Sequence, residues 1–129
     1  MLYTVEIPGK LPTLIDHARA KVTHSIGELD ARTEKKIAAC LKDAPAFDDH
    51  VYVGVYWVRA DAAASLDEVA YAKPHILDAL RSVGAVKQSK MCFLTDLGFR
   101  VNSRNPRTIV CVADTLEEIS SAELSGSHA

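Results

Sequence analysis

Alternation of apolar and polar residues opens the chain and predicts its first β-strand. Residues 2–7 read LYTVEI, and the Pro8 and Gly9 that follow are a strong turn signal. Residues 50–59, HVYVGVYWVR, are β-branched or aromatic on both faces, which predicts a central strand covered on both sides. The apolar run RTIVCVA at 107–113 predicts a final strand.

Apolar residues at helical spacing cover 14–41 and predict either one long helix or two helices with a break near 25–27. A second helical region begins at Leu66 but contains Pro74, which a helix tolerates in its first turn and not in its interior. We therefore predict a short turn over 67–72, a main helix over 74–83 and an end at Gly84.

The order of these elements indicates an α+β fold, a mixed β-sheet with helices packed on one side. The 129 residues, 48% of them apolar, suit a single domain with one core. We place this domain at 1–116 and expect residues 117–129 to form a polar C-terminal tail with a frayed end. Residues 87–106 show no clear element.

Net charge, apolar runs and cysteine count bear on whether the protein binds nucleic acid, spans a membrane or contains disulfides. The net charge of −2 differs from the basic excess typical of proteins that bind phosphate backbones. The N-terminus lacks a basic segment followed by an apolar run, and no stretch approaches the ~20 apolar residues that span a bilayer. We therefore expect a cytoplasmic protein without a membrane partner. The three cysteines are far apart and odd in number, which predicts reduced thiols.

Acidic residues near the start of the second helical region are the first candidates for chemistry. Mg²⁺ prefers oxygen ligands, and nucleases gather several carboxylates around such ions. Asp67 and Asp78 are far apart along one helix, so they would converge only if the chain bends near Pro74. Spacing alone favours another interpretation, in which Asp67 and Glu68 cap a helix and Asp78 is solvated. His75 and Asp78 could share a helix face, as a metal site or a surface hydrogen bond.

Basic residues are grouped within 87–107. Lys87, Lys90 and Arg104 would form a modest nucleic-acid-binding patch. Solvated surface charge is the default alternative, because Asp96 interrupts the group and few aromatic residues accompany it.

Three stretches of the chain, taken together, resemble RusA-type Holliday junction resolvases, specifically the small phage and prophage members of Gram-positive bacteria. IPGKLPTLIDH at 7–17 is similar to their opening strand and turn. LDEVAYAKPHILDALRSVGAV at 66–86 is similar to their central motif, and FRVNSRNPRTIVCV at 99–112 is similar to their closing Asn-Pro-Arg strand. The stretches fall in order at natural spacing, so the resemblance covers nearly the whole domain.

The resemblance implies a homodimer that binds four-way DNA junctions in recombination and repair and cuts them with Mg²⁺ held by aspartates. The second aspartate of the family motif falls on Asp67, its lysine on Lys73 and a later aspartate on Asp78. In an active enzyme we therefore expect Lys73 and Asp67 as catalytic residues, and Asp67, Asp78 and Glu68 as metal ligands.

Other positions depart from the family motif. Its first aspartate is Ser65 here, its asparagine is Glu68, its arginine run is Ala62–Ala64, and its late acidic turn is Gln88 and Ser89. A site short of two carboxylates binds Mg²⁺ poorly, because it lacks both the ligands and the charge that offset dehydration of the ion. Each phosphate contact that is lost also reduces, by ~0.9, the steepness with which log K for DNA binding falls as log[salt] rises.

The leading hypothesis is a RusA-like protein of a phage or other mobile element whose junction-cleaving chemistry is impaired or absent. Its scaffold would be redeployed to bind a host or phage protein, for example to inhibit a host defence system. The alternative is an active Mg²⁺-dependent endonuclease that cleaves four-way junctions, in which Glu68, Asp61 or Asp96 rebuilds the site. A third hypothesis is a plain dimerisation module.

Overall fold

The structure, a computed structural model, describes residues 1–61 and 68–126. Within these ranges the strands are β1 (Leu2–Pro8), β2 (Val51–Arg59), β3 (Cys92–Val101) and β4 (Arg107–Ala113). The helices are α1 (Leu14–Val22), α2 (Ile26–Leu41), α3 (Ala72–Ser82) and α4 (Leu116–Gly126), with a short 3₁₀ helix (Glu68–Tyr71) before α3. In the described part of the chain no helix has both the length and the apolar character needed to cross a bilayer.

The four strands form one mixed sheet in the order β1-β4-β2-β3. Strand β4 pairs antiparallel with both β1 and β2, whereas β2 and β3 are parallel. The parallel pair follows from its connection, because the chain crosses over through the 3₁₀ helix and α3 before it returns as β3. The prediction of a central strand at 50–59 is confirmed, since β2 lies between β4 and β3.

Both faces of the sheet are covered, and each has its own apolar cluster. On one face Trp57 and Val110 pack with Ile37 of α2 and Leu80 of α3. On the other face, Ile119 of α4, only 2% exposed, packs with the cluster of β2, β3 and β4 side chains. The α+β class with a mixed sheet is confirmed. The expectation that the helices lie on one side is wrong for α4.

The C-terminal segment explains that difference. Strand β2 is apolar on both faces, so the second face also needs a cover that excludes water. Residues that the sequence predicts as a polar tail form α4 instead, and they supply Ile119 as that cover. The tail's last residues, 127–129, lie outside the described part of the chain.

The helix ends follow local signals. Of the two alternatives for 14–41, the structure has two helices, and the chain turns at His24, whose φ is 58°. Helix α1 begins at a capping box in which Thr13 and Asp16 exchange hydrogen bonds. Pro74 lies in the first turn of α3, and Gly84 follows the end of that helix, as predicted.

Strand β3 was not predicted from the sequence, because a bulge breaks its alternation. Val55 of β2 pairs with Asp96, but the next residue, Tyr56, pairs with Gly98, so Leu97 is an extra residue in β3. The Tyr56 ring lies so close to Gly98 that a Cβ there would be 2.5 Å from Cε1. Asp96 precedes the bulge and follows the alternation of Cys92 and Leu94, so it lies on the sheet face that α3 covers, whereas Leu97 lies on the other face.

Candidate functional site

The predicted catalytic lysine belongs to a three-residue group at the start of α3. The Lys73 ammonium lies 2.8 Å from Oδ2 of Asp96 in β3. The other oxygen of that carboxylate, Oδ1, accepts a hydrogen bond of 2.7 Å from the indole N–H of Trp57, which is fully buried. The Lys73 and Asp96 side chains are 29% and 27% exposed, so water screens their attraction only in part.

This arrangement gives Lys73 a fixed partner. Charge-assisted hydrogen bonds are stronger than neutral ones, and Trp57 holds the Asp96 carboxylate from the buried side. A phosphate that approached the Lys73 ammonium would also meet the negative charge of Asp96. The group therefore neutralises the cation that the family resemblance assigns to catalysis.

A second group of polar side chains lies between α2 and α3. Each ring nitrogen of His75 faces a carboxylate of α2, with Nε2 3.5 Å from Asp30 and Nδ1 3.4 Å from Glu34. The His75 side chain is only 13% exposed, and the Tyr71 ring lies 4.6 Å from it between ring centroids. The hydroxyl of Tyr71 donates a hydrogen bond to Asp30. The ring centroids of Tyr71 and His17 lie 5.2 Å apart.

Tyr71 acts in this group as a hydrogen-bond donor. Burial of the phenol, together with the hydrogen bond to Asp30, raises the pKa of Tyr71 to about 12. The hydroxyl therefore keeps its proton at neutral pH and orients the Asp30 carboxylate.

Asp78, one of the predicted metal ligands, joins this second group. Three side chains, those of Glu34, His75 and Asp78, each offer one ligand atom, and these three atoms lie within 4.8 Å of one another. Two carboxylates and an imidazole are a donor set for a transition-metal ion, whereas Mg²⁺ prefers oxygen ligands alone. At 3.6 residues per turn, Asp78 lies about 140° around the α3 axis from Lys73. The two residues therefore do not belong to one site.

The other predicted metal and catalytic positions fall on the segment before α3. Asp67 and Ser65 lie outside the described residues. Glu68 begins the 3₁₀ helix, and its side chain is also outside the described part of the structure. The predicted ligand set of Asp67, Asp78 and Glu68 therefore stays a prediction.

Two of the predicted nucleic-acid-binding residues have carboxylate neighbours. The Lys87 ammonium lies 3.6 Å from Asp48, and the Lys90 ammonium lies 3.8 Å from Asp49. The guanidinium of Arg81 donates hydrogen bonds to the backbone carbonyls of both lysines, which holds their turn against α3. Each of the two lysines therefore has an aspartate nearby, but these aspartates are 96% and 74% exposed, and water screens both pairs.

Arg104 and Ser89 lie at two different ends of β3. Arg104 is exposed in the turn between β3 and β4, where its backbone N–H donates to the side chain of Asn102. Ser89 is exposed in the turn before β3. The structure thus does not bring Arg104 together with Lys87 and Lys90 in one compact patch.

Burial makes two of the thiols poor nucleophiles. It raises the pKa of Cys92 to about 11 and also raises the pKa of Cys111. Because the thiolate is the reactive form, both side chains stay protonated and unreactive at neutral pH. All three cysteines are free thiols.

Sequence reasoning missed the α2 half of the second group. Asp30 and Glu34 are four residues apart on α2, which is the spacing of neighbours on one helix face. Tyr71, at the end of the 3₁₀ helix, and His75 of α3 have the same spacing. That spacing was a usable signal within each helix. Which faces of α2 and α3 meet is decided by the packing of the two helices on the sheet.

No protein-family model matches the chain, and a search of curated proteins finds no match to it. The resemblance to RusA-type resolvases therefore stays a prediction from the three sequence stretches that carry it.

Proposed function

We propose that this chain keeps a RusA-like scaffold, has lost the ability to cleave DNA junctions and acts by binding a protein. The observation that carries the proposal is the ion pair between Lys73 and Asp96, at 2.8 Å. A lysine that stabilises a transition-state phosphate must present its charge to the phosphoryl oxygens. Here the carboxylate that Trp57 holds in place already takes up that charge.

The charge distribution supports the loss of DNA binding. Lys87 and Lys90, which would have contacted phosphates, each lie within 4 Å of an aspartate. The chain as a whole carries a net charge of −2. Counterion release from phosphates supplies most non-specific DNA affinity, and both the neighbouring aspartates and the negative net charge oppose it.

Cleavage of a labelled four-way junction tests the first half of the proposal. The purified chain is titrated at low salt without metal in a gel-shift assay, and then with Mg²⁺ or Mn²⁺ in a cleavage assay. We expect neither a shift nor site-specific cutting, and Asp67→Asn should behave like the wild type. Cutting by the wild type that disappears in Asp67→Asn would overturn the proposal and establish the active endonuclease.

Reconstitution of a complex tests the second half. The tagged chain is used as bait in lysates of phage-infected and uninfected bacteria, and each captured protein is purified and mixed with the chain. We expect one partner to form a complex of fixed stoichiometry by light scattering, with the chain as the homodimer that the resemblance implies. A chain that binds neither protein nor DNA would overturn the proposal in favour of a dimerisation module.

A further inference from the structure

Two adjoining cavities lie where the segment after β1 meets α1 and α2. The larger cavity has a volume of about 380 Å³ and the smaller one about 180 Å³. Both are lined by Lys10, Leu11, Pro12, Leu29 and Arg32, so they form one continuous depression. We call it the α1–α2 cleft.

The floor of the α1–α2 cleft is apolar. Leu11 and Ala20 are 2% and 7% exposed, and Pro12 and Leu29 complete the lining between them. Such a floor accepts the apolar or aromatic part of a ligand, as is usual in small-molecule sites.

The rim of the cleft is cationic. Lys10, Arg19 and Arg32 line the larger cavity, and Lys36 lines the smaller one. Within residues 1–61 and 68–126, none of these four side chains forms a salt bridge with a carboxylate. The cleft therefore gathers positive charge in a chain whose net charge is −2.

The one carboxylate in the lining has another role. Asp16 accepts hydrogen bonds from the backbone N–H of Thr13, at 2.9 Å, and from the Thr13 hydroxyl, at 3.3 Å. These contacts close the capping box of α1 and keep the carboxylate at the positive end of that helix. Within the described residues no salt bridge joins Asp16 to a rim cation, so its single negative charge offsets the four positive charges only in part.

The turn after β1 brings the rim together. Gly9 has a φ of +79°, and a Cβ at this position would lie 3.2 Å from the Lys36 ammonium. The ammonium of Lys36 in α2 therefore reaches the same turn that presents Lys10. At the opposite end of the larger cavity, the hydroxyls of Thr23 and Ser25 lie 2.8 Å apart and add hydrogen-bonding groups to the lining.

We propose that the α1–α2 cleft binds a small phosphate ester of nucleotide size. Its phosphate groups would lie between the rim cations, where an arginine can bind two phosphate oxygens at once, and its apolar part would lie on the floor. Like charges held close together cost free energy, and a polyanion removes that cost when it binds. The larger cavity is within the size range of small-ligand sites, whereas a DNA duplex is contacted by a basic patch or stripe that follows its phosphate backbone.

Calorimetric titration with ATP, in the absence of divalent metal, tests the proposal. Arg19→Gln/Arg32→Gln should weaken ATP binding about tenfold or more, because each arginine loses charge-assisted hydrogen bonds to phosphate. The matched control is Lys87→Gln/Lys90→Gln, which removes the same charge from paired lysines and should change the affinity less than about twofold. Equal weakening in both variants would overturn a specific site, as would an absence of binding by the wild type.

Two further probes separate the sources of the phosphate. Inorganic triphosphate should bind more weakly than ATP, because it has no part that lies on the apolar floor, and equal affinity would overturn that role of the floor. A four-way DNA junction should compete with ATP poorly, and effective competition would overturn the choice of a small ligand.

Amide shifts at Gly9, Thr23 and Ser25 in nuclear magnetic resonance spectra of the wild type locate the site without any substitution. This proposal stands apart from protein binding and from DNA cleavage, so its failure would leave the proposed function untouched.

Discussion

Helix α3 and the α1–α2 cleft both carry basic side chains, but those of α3 have carboxylate partners and those of the cleft rim form no salt bridge within the described residues. Lys73 has a carboxylate at 2.8 Å, and each ring nitrogen of His75 faces another carboxylate. In the cleft, two lysines and two arginines line connected cavities. Asp16, which also lines the cleft, accepts a hydrogen bond from Thr13 in the capping box of α1. The comparison teaches that a family motif can mark residues whose charge the fold has neutralised. Three of the four cations of the cleft, Arg19, Arg32 and Lys36, lie outside the stretches that carry the family resemblance.

The largest expected effect comes from breaking the anchor of the α3 group. Trp57→Ala should lower the free energy of unfolding by about 3–5 kcal/mol, because it empties the space of a fully buried indole and removes the hydrogen bond to Asp96. Urea unfolding measures the loss. The control is Phe93→Ala, an aromatic side chain that is 43% exposed on β3 and should cost far less. Similar losses in the two variants would contradict the role of Trp57 as an anchor.

A smaller effect tests the ion pair itself. Lys73→Met should lower the free energy of unfolding by about 1–2 kcal/mol, because Asp96 stays half-buried without its cation. Lys87→Met is the matched control, since its partner Asp48 is almost fully exposed, and we expect a loss below about 0.5 kcal/mol. The double variant Lys73→Met/Asp96→Asn should recover part of the stability. A Lys73→Met protein as stable as the wild type would show that the pair contributes nothing.

Alkaline titration tests the environment of Tyr71. Its pKa is raised from 10.0 to about 12, so the folded state binds this proton more tightly than the unfolded state does. The resulting stability is fully present below pH 10 and is lost as the pH rises towards 12. Tyr71→Phe should remove the highest step from the phenolate absorbance titration. An unchanged high step in Tyr71→Phe would assign it to another tyrosine.

The smallest expected effect is at the cleft. Arg19→Gln/Arg32→Gln should leave the free energy of unfolding unchanged or raise it by up to about 0.5 kcal/mol at low salt, because the rim cations repel one another. About 1 M salt should abolish the difference, since it screens charges beyond a few ångströms. Urea unfolding at both salt concentrations provides the measurement. A loss of more than about 1 kcal/mol would mean that the arginines stabilise the fold and are not held ready for a ligand.

Local signals predicted most of the elements. Strands β1, β2 and β4 follow from alternation and β-branched residues, and Pro74 and Gly84 mark the ends of the main helical segment before β3. Strand β3 escaped prediction because the extra Leu97 shifts the alternation by one residue. Helix α4 escaped because Ile119, the buried residue among the α4 side chains that the structure describes, is flanked by acidic residues and serines.

By itself, the sequence determined the class of the fold and the positions of three strands, because residue type and alternation are local signals. It left open whether 14–41 forms one helix or two. Only the tertiary structure decided which charges are paired. Lys73 and Asp96 are 23 residues apart, and they meet because α3 packs on the sheet face that carries Asp96. The cations of the cleft come from α1, α2 and the turn after β1, so their meeting depends on how the helices pack on the sheet. Electrostatic interactions act through space, and their sum is known only once those elements are in place.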